Sequence, residues 1–178
     1  MLAQTRTWSA AASLAAIVLT HSQSFAGLVA QYDVGTGANA SVIQVDFTNG
    51  NAYQITLRWD TPMNGFDALQ LSTSSISGAA LAYDTYTFGN FVTGIGLGTD
   101  YEYGNGDLWP IENYWHYWTE VNGQWEIAMF GASDRMLVDG SKDAWVFGSS
   151  DAPQAVPAPG AAEIGVVCMW HRFRRKRR

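Results

Sequence analysis

Residues 53–59 place apolar side chains at Tyr53, Ile55, Leu57 and Trp59, alternating with Gln54, Thr56 and Arg58. A period of two is the pattern of a strand with one buried face. The preceding run alternates in the same way, with Ile43, Val45 and Phe47 against Gln44 and Asp46, and Asn49-Gly50 stands between the two. Asn and Gly both tolerate φ > 0, so the two runs are predicted to pair as an antiparallel hairpin. Gly27 to Val34 predicts a further short strand ahead of them. Beyond Pro62 and Gly65 the period changes: Phe66, Leu69, Thr73 and Ile76 recur at three- and four-residue spacing. That spacing predicts one short amphipathic helix, stopped by Gly78, although its Ser and Thr side chains compete for backbone hydrogen bonds.

The pattern then returns to strands. Thr85 to Ile95 reads as a single strand interrupted at Gly89, followed by a Gly- and acid-rich loop around residues 99–112. Tyr114, Trp115, His116, Tyr117 and Trp118 open a second hairpin, which turns at Asn122-Gly123 and resumes with Trp125. Ala144 to Phe147 predicts a last short strand, and residues 151–160 read as a Pro/Ala linker. No internal repeat of fixed period is visible. Together these elements predict one α+β domain over residues 27–150, a small, mostly antiparallel β-sheet with one short helix.

The two ends carry different patterns. Residues 1–26 have a single charge, Arg6, then an apolar stretch from Trp8 to Thr20, then Ser24-Phe25-Ala26. This is the arrangement of a secretory signal helix, with signal peptidase expected to cut after Ala26. At the other end, six of the ten Lys and Arg residues lie in the last seven positions, after a short apolar stretch and a Pro-rich opening. The division changes the charge picture. Between residues 27 and 155, three bases (Arg58, Arg135, Lys142) face fifteen acids, leaving −12 where the whole chain has −6. A domain this acidic repels nucleic acid and anionic lipid, so neither is an expected partner. The one cysteine, Cys168, lies in the tail, so an exported domain here has no disulfide and is held by packing alone.

Residues 156–178 resemble the PEP-CTERM sorting signal of exported bacterial proteins. Val156-Pro157-Ala158-Pro159-Gly160 stands where that family has its Val-Pro-Glu-Pro-like motif, with Ala158 in place of Glu, and the terminal Arg run matches. The resemblance implies handling by an exosortase-type enzyme. The apolar segment departs from the family: Ala161 to Trp170 is ten residues and contains Glu163, about half the length that spans a bilayer. The central stretch resembles the transcobalamin-like C-terminal domain. The likeness is carried by Phe66 to Leu69, Gly94-Ile95, Tyr114-Trp115, Asn122-Gly123, Gly131-Ala132 and Asp139-Gly140. It implies a β-grasp-like module and, from the animal members, aromatic residues near a corrinoid, with Trp115 at the best-fitting position.

On a strand, Trp115 and Tyr117 share one face, while Tyr114, His116 and Trp118 share the other. The pattern admits two uses for these rings with Trp125: core packing, or a surface for a corrinoid-like planar ligand or a carbohydrate. A catalytic use of His116 needs a nucleophile and an orienting acid, for which Ser133, Asp134 and Glu120 are the candidates. Asp100, Glu102, Asn105 and Asp107 offer alternating oxygens to a Ca²⁺ ion without the EF-hand spacing, and Asp139, Ser141 and Asp143 form a thinner set. The expectation is an exported, non-enzymatic protein of the cell surface or extracellular matrix, with no cofactor and with the tail as a transient membrane anchor. Extracellular polysaccharide or surface proteins are its expected partners.

Overall fold

The first hairpin forms as the alternation predicts. In the computed structural model, which describes residues 27–107 and 113–156, β1 (Gly27–Gly35), β2 (Asn39–Asp46) and β3 (Asn51–Trp59) come first. β2 and β3 pair antiparallel, Ile43 opposite Ile55 and Val45 opposite Tyr53. The turn differs from a two-residue one. Only Gly50 has positive φ (85°), while Asn49 accepts the Asn51 N–H on its side chain. The result is a three-residue loop that ends in a left-handed glycine. At Asn122-Gly123 both residues have positive φ, 52° and 81°, the two-residue turn that an Asn-Gly pair favours.

The predicted helix is α1 (Gly65–Ser75), capped by Asn64, whose side chain accepts the Asp67 N–H at 2.8 Å. Phe66, Leu69 and Thr73 face the core, and Ile76 is the buried C-cap. The Ser/Thr competition resolves within the helix: Thr73 donates to Leu69 O, and Ser75 donates to Leu71 O. Gly78 takes φ 81° just beyond the end.

Two readings are corrected. Thr85 to Ile95 is not one strand but the join of β4 (Ala80–Tyr86) and β5 (Gly89–Leu97), which pair antiparallel with Tyr86 opposite Gly89. Thr87 and Phe88 form the turn, neither a turn-favouring residue, and Gly89 directly after them takes φ 126°, so the glycine read as an interruption marks the reversal. The expected acid-rich loop contains β6 (Asp100–Tyr103), paired with β5. The aromatic hairpin is β7 (Trp115–Val121) and β8 (Gln124–Ile127), and the last strand is β9 (Lys142–Phe147). The expected signal segment 1–26 and the tail from Pro157 lie outside the described residues.

The large sheet has the order β1-β3-β2-β9-β7-β8, with β1 parallel to β3 and β2 parallel to β9. β4, β5 and β6 form a second, three-stranded antiparallel sheet. The domain is therefore mostly β with one α-helix among the described residues, and five of its seven strand pairings are antiparallel. The main core lies between the inner face of the large sheet (Ile43, Val45, Ile55, Leu57, Trp115, Trp145) and a layer of α1 and β5 (Phe66, Leu69, Val92, Ile95). A smaller cluster, Trp118, Ala144 and Val146, lies on the outer face, with Trp125 packed against it.

Candidate functional site

The aromatic hairpin is used on both faces. Trp115 meets Phe47 and Phe147 edge-on, with ring centroids 5.4 and 5.0 Å apart, and Tyr117 lies 4.7 Å from Trp145. These are inner-face contacts. Trp118 packs on the outer face, and the His116 ring lies 4.0 Å from Tyr114, which in turn is 6.4 Å from Phe91 on β5. Trp115, His116 and Trp118 are 3, 4 and 7 % exposed, so none presents an open ring to a planar ligand. Tyr114 and Trp125 are half-buried. The strand brings the five rings together as packing, and a ligand reaches Trp115 only by opening the sheet.

Of the groups offered as partners to His116, Ser133 and Glu120 are engaged elsewhere, and Asp134 lies exposed on the 3₁₀ turn 132–134. Ser133 Oγ accepts the Asn90 N–H at 3.1 Å, and Glu120 takes Lys142 Nζ at 2.7 Å. The acidic loop is likewise occupied. Asp100 accepts hydrogen bonds from Asn49, Asn51 and Tyr53, and Glu102 accepts from the hydroxyl and N–H of Thr48. These bonds lace the β5–β6 turn to the β2–β3 turn. Asn51's donation, helped by Tyr53 and Asn49, holds Asp100 below the ordinary carboxylate value, while burial and the nearby Asp100 push the Tyr53 hydroxyl up to about 12. Asp107 pairs with Asn105, and Asp139 accepts the Ala40 N–H at 2.8 Å. Among the described residues no three His, Cys, Asp or Glu side chains come together as a metal site, and no helix is long and apolar enough to cross a membrane.

Two carboxylates that the sequence reading left open, Asp46 on a strand and Asp143 in a candidate cation set, are buried. Asp143, on β9, accepts the Tyr117 hydroxyl at 2.5 Å and faces Arg135 Nε at 3.4 Å. Asp46, at the end of β2, is 1 % exposed and accepts from Gln44 Nε2 and from the Gln154 N–H. Burial pushes both carboxyls above their ordinary value, against the lowering effect of these donors. At an alternating strand position Asp46 reads as solvent-facing, and ahead of a strand expected to start at Ala144, Asp143 reads as a turn acid. A third feature is exposed. Tyr101 and Tyr103 on β6 stand over a floor of Ala80, Ala82, Gly94 and Gly96. A Cβ added at Gly94 would lie 2.8 Å from Tyr101 Oη, so the ring rests on bare backbone.

No family model matches the chain, and neither the curated proteins nor the solved structures contain a match to it.

The carboxylates set a pH dependence. Asp46 and Asp143 have raised folded values, so their contribution to stability is fully present below 3.8 and is lost as pH rises through each raised value. Asp100 runs the other way, with its contribution present above 3.8 and lost as pH falls through its lowered value. The thermal unfolding midpoint is expected to rise from pH 7 toward about pH 4 and to fall again below it. Asp143→Asn should shallow the rise; a midpoint falling steadily from pH 7 downward would contradict the assignment.

Proposed function

We propose that this is an exported, non-enzymatic module of the cell surface or extracellular matrix, delivered by a cleaved leader and handled through a C-terminal sorting tail. The observation that carries the reading is the sequence pattern of the two ends: one charge and an apolar stretch closing on Ser24-Phe25-Ala26, and a Pro-rich, then apolar, then basic tail. Among the described residues β1 spans Gly27–Gly35, and the Gly27 N–H donates to Gly50 O at 3.1 Å. At the other end the chain is fastened at Gln154, two residues before the motif that starts at Val156. Removing either end at the expected places leaves every described strand whole. The separation of an acidic body from a basic tail supports the same division.

The β-grasp kinship implied by the transcobalamin-like resemblance is also proposed, on topological support. A hairpin (β2, β3) is followed by a helix, and the last strand returns parallel beside the first strand of that hairpin, giving β3-β2-β9-β7-β8. On this reading β4 to β6 are an insertion after the helix, and β1 is an added edge strand.

In a bacterium with an exosortase-type system, the full chain is expected at the cell surface without residues 1–26, and a form lacking residues 156–178 is expected in the medium. Fractionation with intact-mass measurement reads both. Identical partition of the two forms, or Met1 retained on cytosolic protein, would overturn the proposal.

Carbohydrate binding is a second reading, favoured by Tyr101 and Tyr103, which are 54 and 55 % exposed. Their apolar faces and polar tips suit the mixed surface of a sugar ring. Retention on a neutral polysaccharide matrix is expected to drop in Tyr101→Ala and Tyr103→Ala; equal retention of both variants and the parent removes this reading.

A further inference from the structure

We infer that Gln44 and Asp46 form a clasp that holds residues 149–156 against the outer face of the large sheet and limits a processing enzyme's access to the tail that follows. The inference rests on the sorting reading above and adds a control on when the tail is presented.

The clasp meets both polar groups of one strap residue. Gln154 N–H donates to Asp46 Oδ2 at 2.7 Å, and Gln154 O accepts from Gln44 Nε2 at 2.8 Å. The same Gln44 nitrogen donates to Asp46 Oδ1 at 2.9 Å, which orients the carboxylate. Two side chains thus take the place of a neighbouring strand, and both are buried, at 3 and 1 % exposure. Pro153 is buried beside them, and Ser149 pairs with Asp151 to shape the turn out of β9. The strap borders a 490 Å³ cleft whose floor is Phe47, Thr48 and Val146. A buried carboxylate is costly without donors, so Asp46 and the strap stabilise one another.

This placement has a consequence for processing. Enzymes that cut or transfer a peptide hold it extended, by main-chain hydrogen bonds over several residues. Only Ala155 and Val156 lie between Gln154 and Pro157. An enzyme gripping the chain on the domain side of the motif needs residues that the clasp already holds. Its rate then follows the population of the open strap.

The contacts run through the Gln154 backbone, so the test separates backbone from side chain in the full-length chain. Gln154→Pro removes the N–H donor and leaves the sheet untouched; Gln154→Ala keeps both backbone groups. Asp46→Asn is the partner variant on the domain side, setting an amide donor against Gln44. A broad-specificity protease is expected to cut within residues 149–156 about tenfold faster in Gln154→Pro and in Asp46→Asn. Gln154→Ala is expected to match the parent. In sorting-competent cells, tail processing measured by intact mass should accelerate in the same two variants. Equal cutting of Gln154→Pro and the parent overturns the clasp. Faster cutting with unchanged processing overturns the gating role. A tail left whole in every form overturns the sorting reading and the gating with it, while the protease rates still decide the clasp. A loss of the parent's thermal midpoint in Asp46→Asn alone marks misfolding, and Gln154→Pro then decides.

Discussion

The hydrogen bond from the Tyr117 hydroxyl to Asp143 sits where the large sheet meets the start of α1. Tyr117 comes from β7 and Asp143 from β9, while the start of α1 lies directly above them. A Cβ on Gly65 would stand 2.5 Å from Tyr117 Oη, 3.1 Å from Asp143 Oδ2 and 3.2 Å from Ala132 O. The helix can begin this close to the sheet only because residue 65 has no side chain. The backbone around the joint is tied too: Gly65 N–H donates to Arg135 O at 2.8 Å, and Leu137 N–H to Met63 O at 3.0 Å. Arg135 then completes the charge balance of Asp143. Removing one partner of such a set leaves a carboxylate buried without its donor, which is far worse than never having buried it.

This joint explains what the aromatic hairpin is for. With Tyr117 committed to Asp143, Trp115 must share the inner face, and His116 and Trp118 must turn outward over β9. The outward rings then meet Ala144, Val146 and Trp125 in place of water. Both faces of the strand are consumed in building the sheet. The exposed aromatic rings lie on other elements, Tyr101 and Tyr103 of the small sheet among them.

Much of the architecture was legible because it is local. Alternation from Tyr53 to Trp59, the three-four spacing from Phe66 to Ile76 and the two Asn-Gly turns each reflect a period or a dihedral preference carried by adjacent residues. The rest depended on contacts distant in sequence. The reversal at Thr87-Phe88 is held by pairing between β4 and β5 and by Ser133 beneath Asn90, and Gly89, at φ 126°, reads in the sequence only as an interruption of one strand. Asp46 looked solvent-facing because its burial depends on Gln154, 108 residues away. Asp100 looked like a loop acid open to a cation, yet its donors lie on the β2–β3 turn. The parallel pairing of β2 with β9 has no short-range signal at all.

The most direct test of this account is the unfolding free energy of Tyr117→Phe. The substitution keeps the ring that packs on Trp145 and removes only the donor to Asp143. A loss of about 1–3 kcal/mol is expected at neutral pH, the cost of a buried carboxylate missing a partner. An unchanged or increased unfolding free energy would contradict it.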